Sequence, residues 1–83
     1  MAYRIVYKKS VHRDLKKLDK HEASNLLDQI ENDLSVHPAT FPTLKGKFSG
    51  LRKYRVGNYR VIYVILGDDV VILRIGDRKE VYK

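Results

Sequence analysis

The sequence predicts an α+β domain of order β-α-α-β-β-β, a helical hairpin packed on one face of a mainly antiparallel sheet. Three observations predict it. Apolar residues recur at helical spacing between residues 10 and 36. From residue 51 onward the period changes to two. Gly57-Asn58 and then Gly67-Asp68-Asp69 interrupt the alternating stretches where turns are needed.

The elements follow in order. Tyr3 to Lys8 alternates Tyr3, Ile5 and Tyr7 against Arg4, Val6 and Lys8, a short strand. Ser10 is suited to cap a helix in which Val11, Leu15 and Leu18 fall on one face. Asp19 with Glu22 resembles a capping box and restarts the helical pattern. Ala23, Leu26, Leu27, Ile30 and Leu34 continue it, giving a second amphipathic helix over residues 20–36. His37-Pro38 ends that helix, because the residue before proline disfavours helical backbone. A loop over 39–50, punctuated by Pro42, Gly46 and Gly50, leads to a strand from Leu51 to Val56. Gly57-Asn58 is its turn, and Tyr59 to Leu66 is the next strand. Val61 to Leu66 is apolar on both faces, as a central strand requires. Gly67, Asp68 and Asp69 turn into a last strand, Val70 to Ile75.

Eighty-three residues provide for one domain, expected to span 1–83. Folding at this size buries only roughly 60% of the surface exposed by the unfolded chain, so a covering partner would add stability. No stretch approaches the ~20 apolar residues of a membrane span. The residues from Met1 to Ile5 read as the start of a strand and lack the apolar run of a signal peptide. Zero cysteines exclude disulfides and thiolate metal sites and fit a cytoplasmic protein. His12, His21 and His37 have no metal-site spacing, so neither a metal nor another cofactor is expected.

Charge is the dominant compositional signal. Seventeen Lys and Arg against ten Asp and Glu give a net charge of +7. Nucleic acid, an anionic membrane surface or an acidic protein would each suit such a domain. The hairpin narrows the choice. If Gly57 and Asn58 form the loop, Val56 lies opposite Tyr59, Arg55 opposite Arg60, and Lys53 opposite Ile62. Lys53, Arg55 and Arg60 then share one face, while Tyr54, Val56, Tyr59 and Val61 point to the other. Two directly opposed arginines repel unless something negative lies over them. Either arginine alone is as well explained by water or a carboxylate. Three cations on one strand pair point to a bound anion such as phosphate.

Leu44-Lys45-Gly46, followed by Gly50-Leu51-Arg52-Lys53-Tyr54-Arg55-Val56-Gly57-Asn58-Tyr59-Arg60-Val61-Ile62-Tyr63, resembles the central signature of the RelE/ParE toxin superfamily. The ending Ile75-Gly76-Asp77-Arg78-Lys79-Glu80-Val81-Tyr82 resembles the close of its RelE branch. The resemblance covers essentially the whole chain. It implies a toxin held by a cognate antitoxin, in a toxin–antitoxin hetero-oligomer. It also implies an endoribonuclease that cuts messenger RNA in the ribosomal A site without a cofactor or a membrane. Lys53, Arg55, Arg60, Arg78 and Tyr82 match the residues that carry this activity, and Lys45, Lys47 and Arg52 are expected to bind RNA.

In such cleavage the ribose 2′-OH attacks the adjacent phosphorus, leaving a 2′,3′-cyclic phosphate and a 5′-OH. A proton acceptor, a clamp for the phosphorane and help for the leaving oxygen are required. Arg55 stands where some members carry lysine, and arginine essentially never deprotonates. Lys53 is the candidate base, since nearby cations favour its neutral form, and Glu80 is a competing one. Arg55 and Arg60 would clamp the phosphate, Arg78 would assist the leaving group, and Tyr82 would orient the 2′-OH or stack on a base. Two other readings stay open: a ParE-like inhibitor of DNA gyrase, and a noncatalytic RNA-binding module.

Overall fold

In the computed structural model, residues 2–44 and 50–77 are described. Strand β1 (Arg4–Tyr7) leads into helices α1 (Lys9–Lys16) and α2 (Lys20–Leu34). A short 3-10 turn (Pro38–Thr40) follows, then strands β2 (Arg52–Val56), β3 (Tyr59–Leu66) and β4 (Asp69–Asp77). The sheet order is β1-β4-β3-β2, with both hairpins antiparallel and β1 parallel to β4. Two helices on a four-stranded mixed sheet give the expected α+β class.

The helices form where apolar spacing demands. Leu26, Ile30 and Leu34 of α2 and Val11 of α1 are buried against Tyr54, Val61, Tyr63, Val70, Ile72 and Ile75 of the sheet. Asp19 caps α2 by accepting a hydrogen bond from the His21 amide at 3.1 Å. Glu22 does not complete a capping box; it accepts a bond from the Tyr59 hydroxyl at 2.7 Å. Helix α2 stops at Leu34, two residues before the expected end, and His37-Pro38 opens the 3-10 turn.

Ser10 departs from its expected role. Helix α1 starts at Lys9, its N-cap is Lys8, and no side chain caps it. The Ser10 hydroxyl instead donates to the Leu73 carbonyl at 2.8 Å. The cause is the short length of β1, whose pairing with β4 ends at Tyr7↔Ile72. Backbone groups of β4 past that point still need partners. Helix α1 provides them: Ser10 takes Leu73, and the Asp14 carboxylate accepts from the Ile75 amide at 2.9 Å.

Helix α2 is fastened to the sheet by tyrosine hydroxyls. Tyr7 donates to Glu31 at 3.0 Å, Tyr59 to Glu22, and Tyr54 to the Asp33 carboxylate and the Gln29 carbonyl. Tyr63 donates to the Pro38 carbonyl at 2.5 Å, fixing the chain just beyond the helix. Among the described residues no helix is long and apolar enough to cross a membrane.

Candidate functional site

The β2–β3 hairpin sets the geometry of the site. Gly57 has φ of +58°, and no non-glycine residue among those described has positive φ. A left-handed first position followed by an ordinary Asn58 is the pattern of a type II′ turn, whose twist matches that of paired strands. The register is Val56↔Tyr59, Arg55↔Arg60, Tyr54↔Val61 and Lys53↔Ile62. Tyr54 and Val61 are buried under the helices. Alternation therefore turns Lys53, Arg55 and Arg60 to the opposite face of the sheet. Arg55 is exposed, and Lys53 and Arg60 are half-buried.

Strand β4 extends this outer face. Arg60 pairs with Gly76, and Ile62 with Arg74. Two rows result: Arg55, Arg60 and Gly76 in one, Lys53, Ile62 and Arg74 in the other. Ile62 is 5% exposed, yet it lies outside the core cluster beneath the helices. Lys53 and Arg74 stand directly to either side of it, with aliphatic stems long enough to shield it. Gly76 has no side chain to rise beside Arg60. The arrangement is a low apolar and backbone floor among cations, a surface suited to the backbone of a polyanion.

Arg74 is held from behind. Its Nε donates to Asp14 Oδ2 at 3.0 Å and its Nη2 to Asp14 Oδ1 at 3.3 Å. Sequence reasoning missed Arg74 because it followed the register of the β2–β3 hairpin alone; in the β3–β4 pair a register shift lies between Ile62 and Tyr63. The pairs Tyr63↔Ile72 and Ile62↔Arg74 leave Leu73 as an extra residue. The turn is Gly67-Asp68, with Leu66 paired to Asp69, and not the expected three residues; counted from it without that bulge, Arg74 would face Val61 on the helix side. One extra residue moves it to the cations.

Arg52 was expected among the RNA-binding residues, but its position in β2 turns it to the helix side, opposite Tyr63. Its guanidinium donates to the Ala39 and Phe41 carbonyls at 3.2 and 2.7 Å, fastening the loop before the sheet. The structure does not bring it to the cluster. Lys45, Lys47, Arg78, Glu80 and Tyr82 lie outside the described residues. His12, His21 and His37 are exposed on separate segments. Among the described residues no group of three His, Cys, Asp or Glu could hold a metal ion.

The helix side of the same turn differs in chemistry. A cleft of about 270 Å³ lies between α2 and the turn, lined by Glu22, Asn25, Leu26, Val56 and Tyr59 among others. Its charged group is a carboxylate, so it does not suit phosphate. Burial pushes the Tyr63 hydroxyl up to about 12. Burial also raises the hydroxyls of Tyr7 and Tyr54, with Glu31 and Asp33 adding to the effect. These tyrosines remain neutral hydrogen-bond donors across the ordinary pH range.

The chain matches, over residues 3–82, the family model described as ParE toxin of type II toxin-antitoxin system, parDE. A chain of the toxin–antitoxin complex RelBE2 from Mycobacterium tuberculosis is 28% identical, with a TM-score of 0.84. That likeness covers 94% of this chain and 100% of the other. A chain of the archaeal RelE–RelB complex from Pyrococcus horikoshii is 29% identical, with a TM-score of 0.74 over 96% of this chain and 99% of that one. A mutant of the E. coli toxin RelE in the free state has a TM-score of 0.79 over 99% of this chain and 90% of its own; at 15% identity it shows the fold alone. No curated protein matches the chain in sequence.

Proposed function

Because this chain belongs to the ParE toxin family of type II toxin–antitoxin systems, within the RelE/ParE superfamily, we propose that it is a toxin of the RelE kind. The whole chain, 1–83, is the toxin domain, and it cuts messenger RNA in the ribosomal A site of the cytoplasm. The observation that carries this reading is the gathering of Lys53, Arg55 and Arg60 on the sheet face away from the helices. An RNA backbone laid over that face brings a phosphate between Arg55 and Arg60, which are directly opposed in the sheet. Their mutual repulsion then becomes shared attraction for the anion.

The division of labour follows from chemistry. Lys53 accepts the 2′-OH proton, and Arg55 and Arg60 hold the phosphate and the charge that develops on it. Arg78 assists the departing 5′ oxygen, and Tyr82 orients the ribose or stacks on a base. The ribosome aligns the substrate, so free RNA is cut poorly. The Mycobacterium and Pyrococcus neighbours were solved as complexes with an antitoxin. Those complexes support a cognate antitoxin here, one that is acidic or contributes an amphipathic helix to cover the basic face.

The matching family is described as ParE toxin, which favours as a second reading the ParE-like alternative, a gyrase inhibitor without nuclease activity. Mapping cut sites on translated mRNA separates the two. The purified protein is expected to cut ribosome-bound message, and Lys53→Ala and Arg60→Ala variants to cut far more slowly. Gyrase inhibition with intact message would replace the first reading by the second. RNA binding with no cutting would leave a noncatalytic module.

A further inference from the structure

Arg74 and Asp14 have an asymmetry that a simple structural ion pair does not require. The Asp14 side chain is 8% exposed, whereas that of Arg74 is 43% exposed. Both carboxylate oxygens are engaged: Oδ2 accepts from Arg74 Nε and from the Ile75 amide, and Oδ1 from Arg74 Nη2. The acid is therefore fixed in the protein, and the base extends from it to the surface. Its register position places it on the outer face, in the row of Lys53 and one step along β4 from Gly76.

We infer that Arg74 is a further RNA-backbone contact on this face and that Asp14 is its positioning residue, an inference that rests on the function proposed above. A guanidinium carries five N–H donors in a rigid plane. Asp14 engages Nε and Nη2, and fixing that edge sets the direction of the opposite one. A phosphate over the Gly76 floor meets a donor already oriented, without the entropy cost of ordering a free arginine. Asp14 also offsets the repulsion of a fourth cation beside Lys53, Arg55 and Arg60 while no RNA is bound. A lysine at 74 would preserve the charge but could not span both partners in this way.

The test has two arms, both on the full chain, with circular dichroism confirming that each variant is folded at the assay temperature. In the first arm, binding of a 2′-O-methyl RNA oligonucleotide, which lacks the attacking hydroxyl, is titrated across salt concentrations. Arg74→Gln is expected to reduce the log–log salt slope by about 0.7, the value of one phosphate contact on a single strand. Lys53→Ala and Arg60→Gln serve as references. In the second arm, cutting of ribosome-bound mRNA is measured. Arg74→Gln and Asp14→Asn are each expected to slow it by about tenfold, and the double variant no further than Arg74→Gln alone. Arg74→Lys is expected to keep the slope and lose part of the cutting.

An unchanged slope in Arg74→Gln, alongside reduced slopes in the two reference variants, would overturn the inference and leave the function standing. Multiplying effects in the double variant would show that Asp14 does not act through Arg74. If Asp14→Asn does not fold, parental cutting by Arg74→Lys overturns the positioning claim just as well. If all three cation variants bind and cut like the parent, the proposed function itself fails.

Discussion

The two faces of the β2–β3–β4 sheet are built from alternate residues of the same strands, and they solve opposite problems. On the helix side, Tyr54, Val61, Tyr63 and Ile75 are buried, and the tyrosine hydroxyls find carboxylate or carbonyl acceptors. On the outer side, Lys53, Arg55, Arg60 and Arg74 gather around Ile62 and Gly76. The helix side satisfies its polar groups from within the chain. The outer side concentrates like charge that would be more stable dispersed. A face that costs stability is best understood by what it binds, and the covered face is what makes that cost tolerable.

The comparison predicts that substitutions on the two faces separate activity from stability. The largest effect is expected at the outer face. Arg60→Ala or Lys53→Ala should lower the rate of mRNA cutting by about a hundredfold or more, the scale of a lost transition-state contact. Thermal stability should hold or rise slightly. A variant that cuts normally, or one that unfolds, would erase the distinction between the faces. On the covered face, Ile30→Ala should cost about 2–5 kcal/mol through lost burial and a cavity. Chemical denaturation measures that cost, and cutting per folded molecule should stay at the parental rate.

Smaller effects sharpen the contrast. Tyr63→Phe leaves the buried Pro38 carbonyl without its donor and should cost about 1–3 kcal/mol. The covered face also predicts a pH dependence. Tyr7, Tyr54 and Tyr63 have hydroxyls raised above their unfolded value of about 10. The folded state therefore holds these protons more tightly than the unfolded state. Their contribution to stability is complete below about pH 10 and is lost as pH rises toward the folded values. Unfolding followed from pH 8 to 12 should show stability falling only in the upper half of that range, less steeply in Tyr63→Phe. A fall beginning near neutrality would point to other groups. The smallest effect is expected at the far end of the outer face. There the exposed Arg4 pairs with Asp69 at 3.0 Å, and Arg4→Ala should leave the melting temperature unchanged within error.

Much of this was legible before any coordinates. A two-residue turn at Gly57-Asn58, combined with period-two alternation, predicts the Arg55↔Arg60 pair and the outward Lys53, and the register agrees. The same alternation turns Arg52 inward, so the expectation that it binds RNA ran against the parity of its own strand. Ser10 looked like a helix cap because its neighbours in the chain allowed it. Its real partner, Leu73, is 63 residues away.

The amino-acid order alone determined the helical faces, the strand alternation and the cationic hairpin, because each depends on covalent geometry repeated over a few residues. Tertiary structure alone decided that β1 runs parallel to β4, that Leu73 bulges, and that Arg74 joins the cations with Asp14 behind it. Those features arise when distant backbone groups compete for partners at a shared edge. Local periodicity carries no record of that competition.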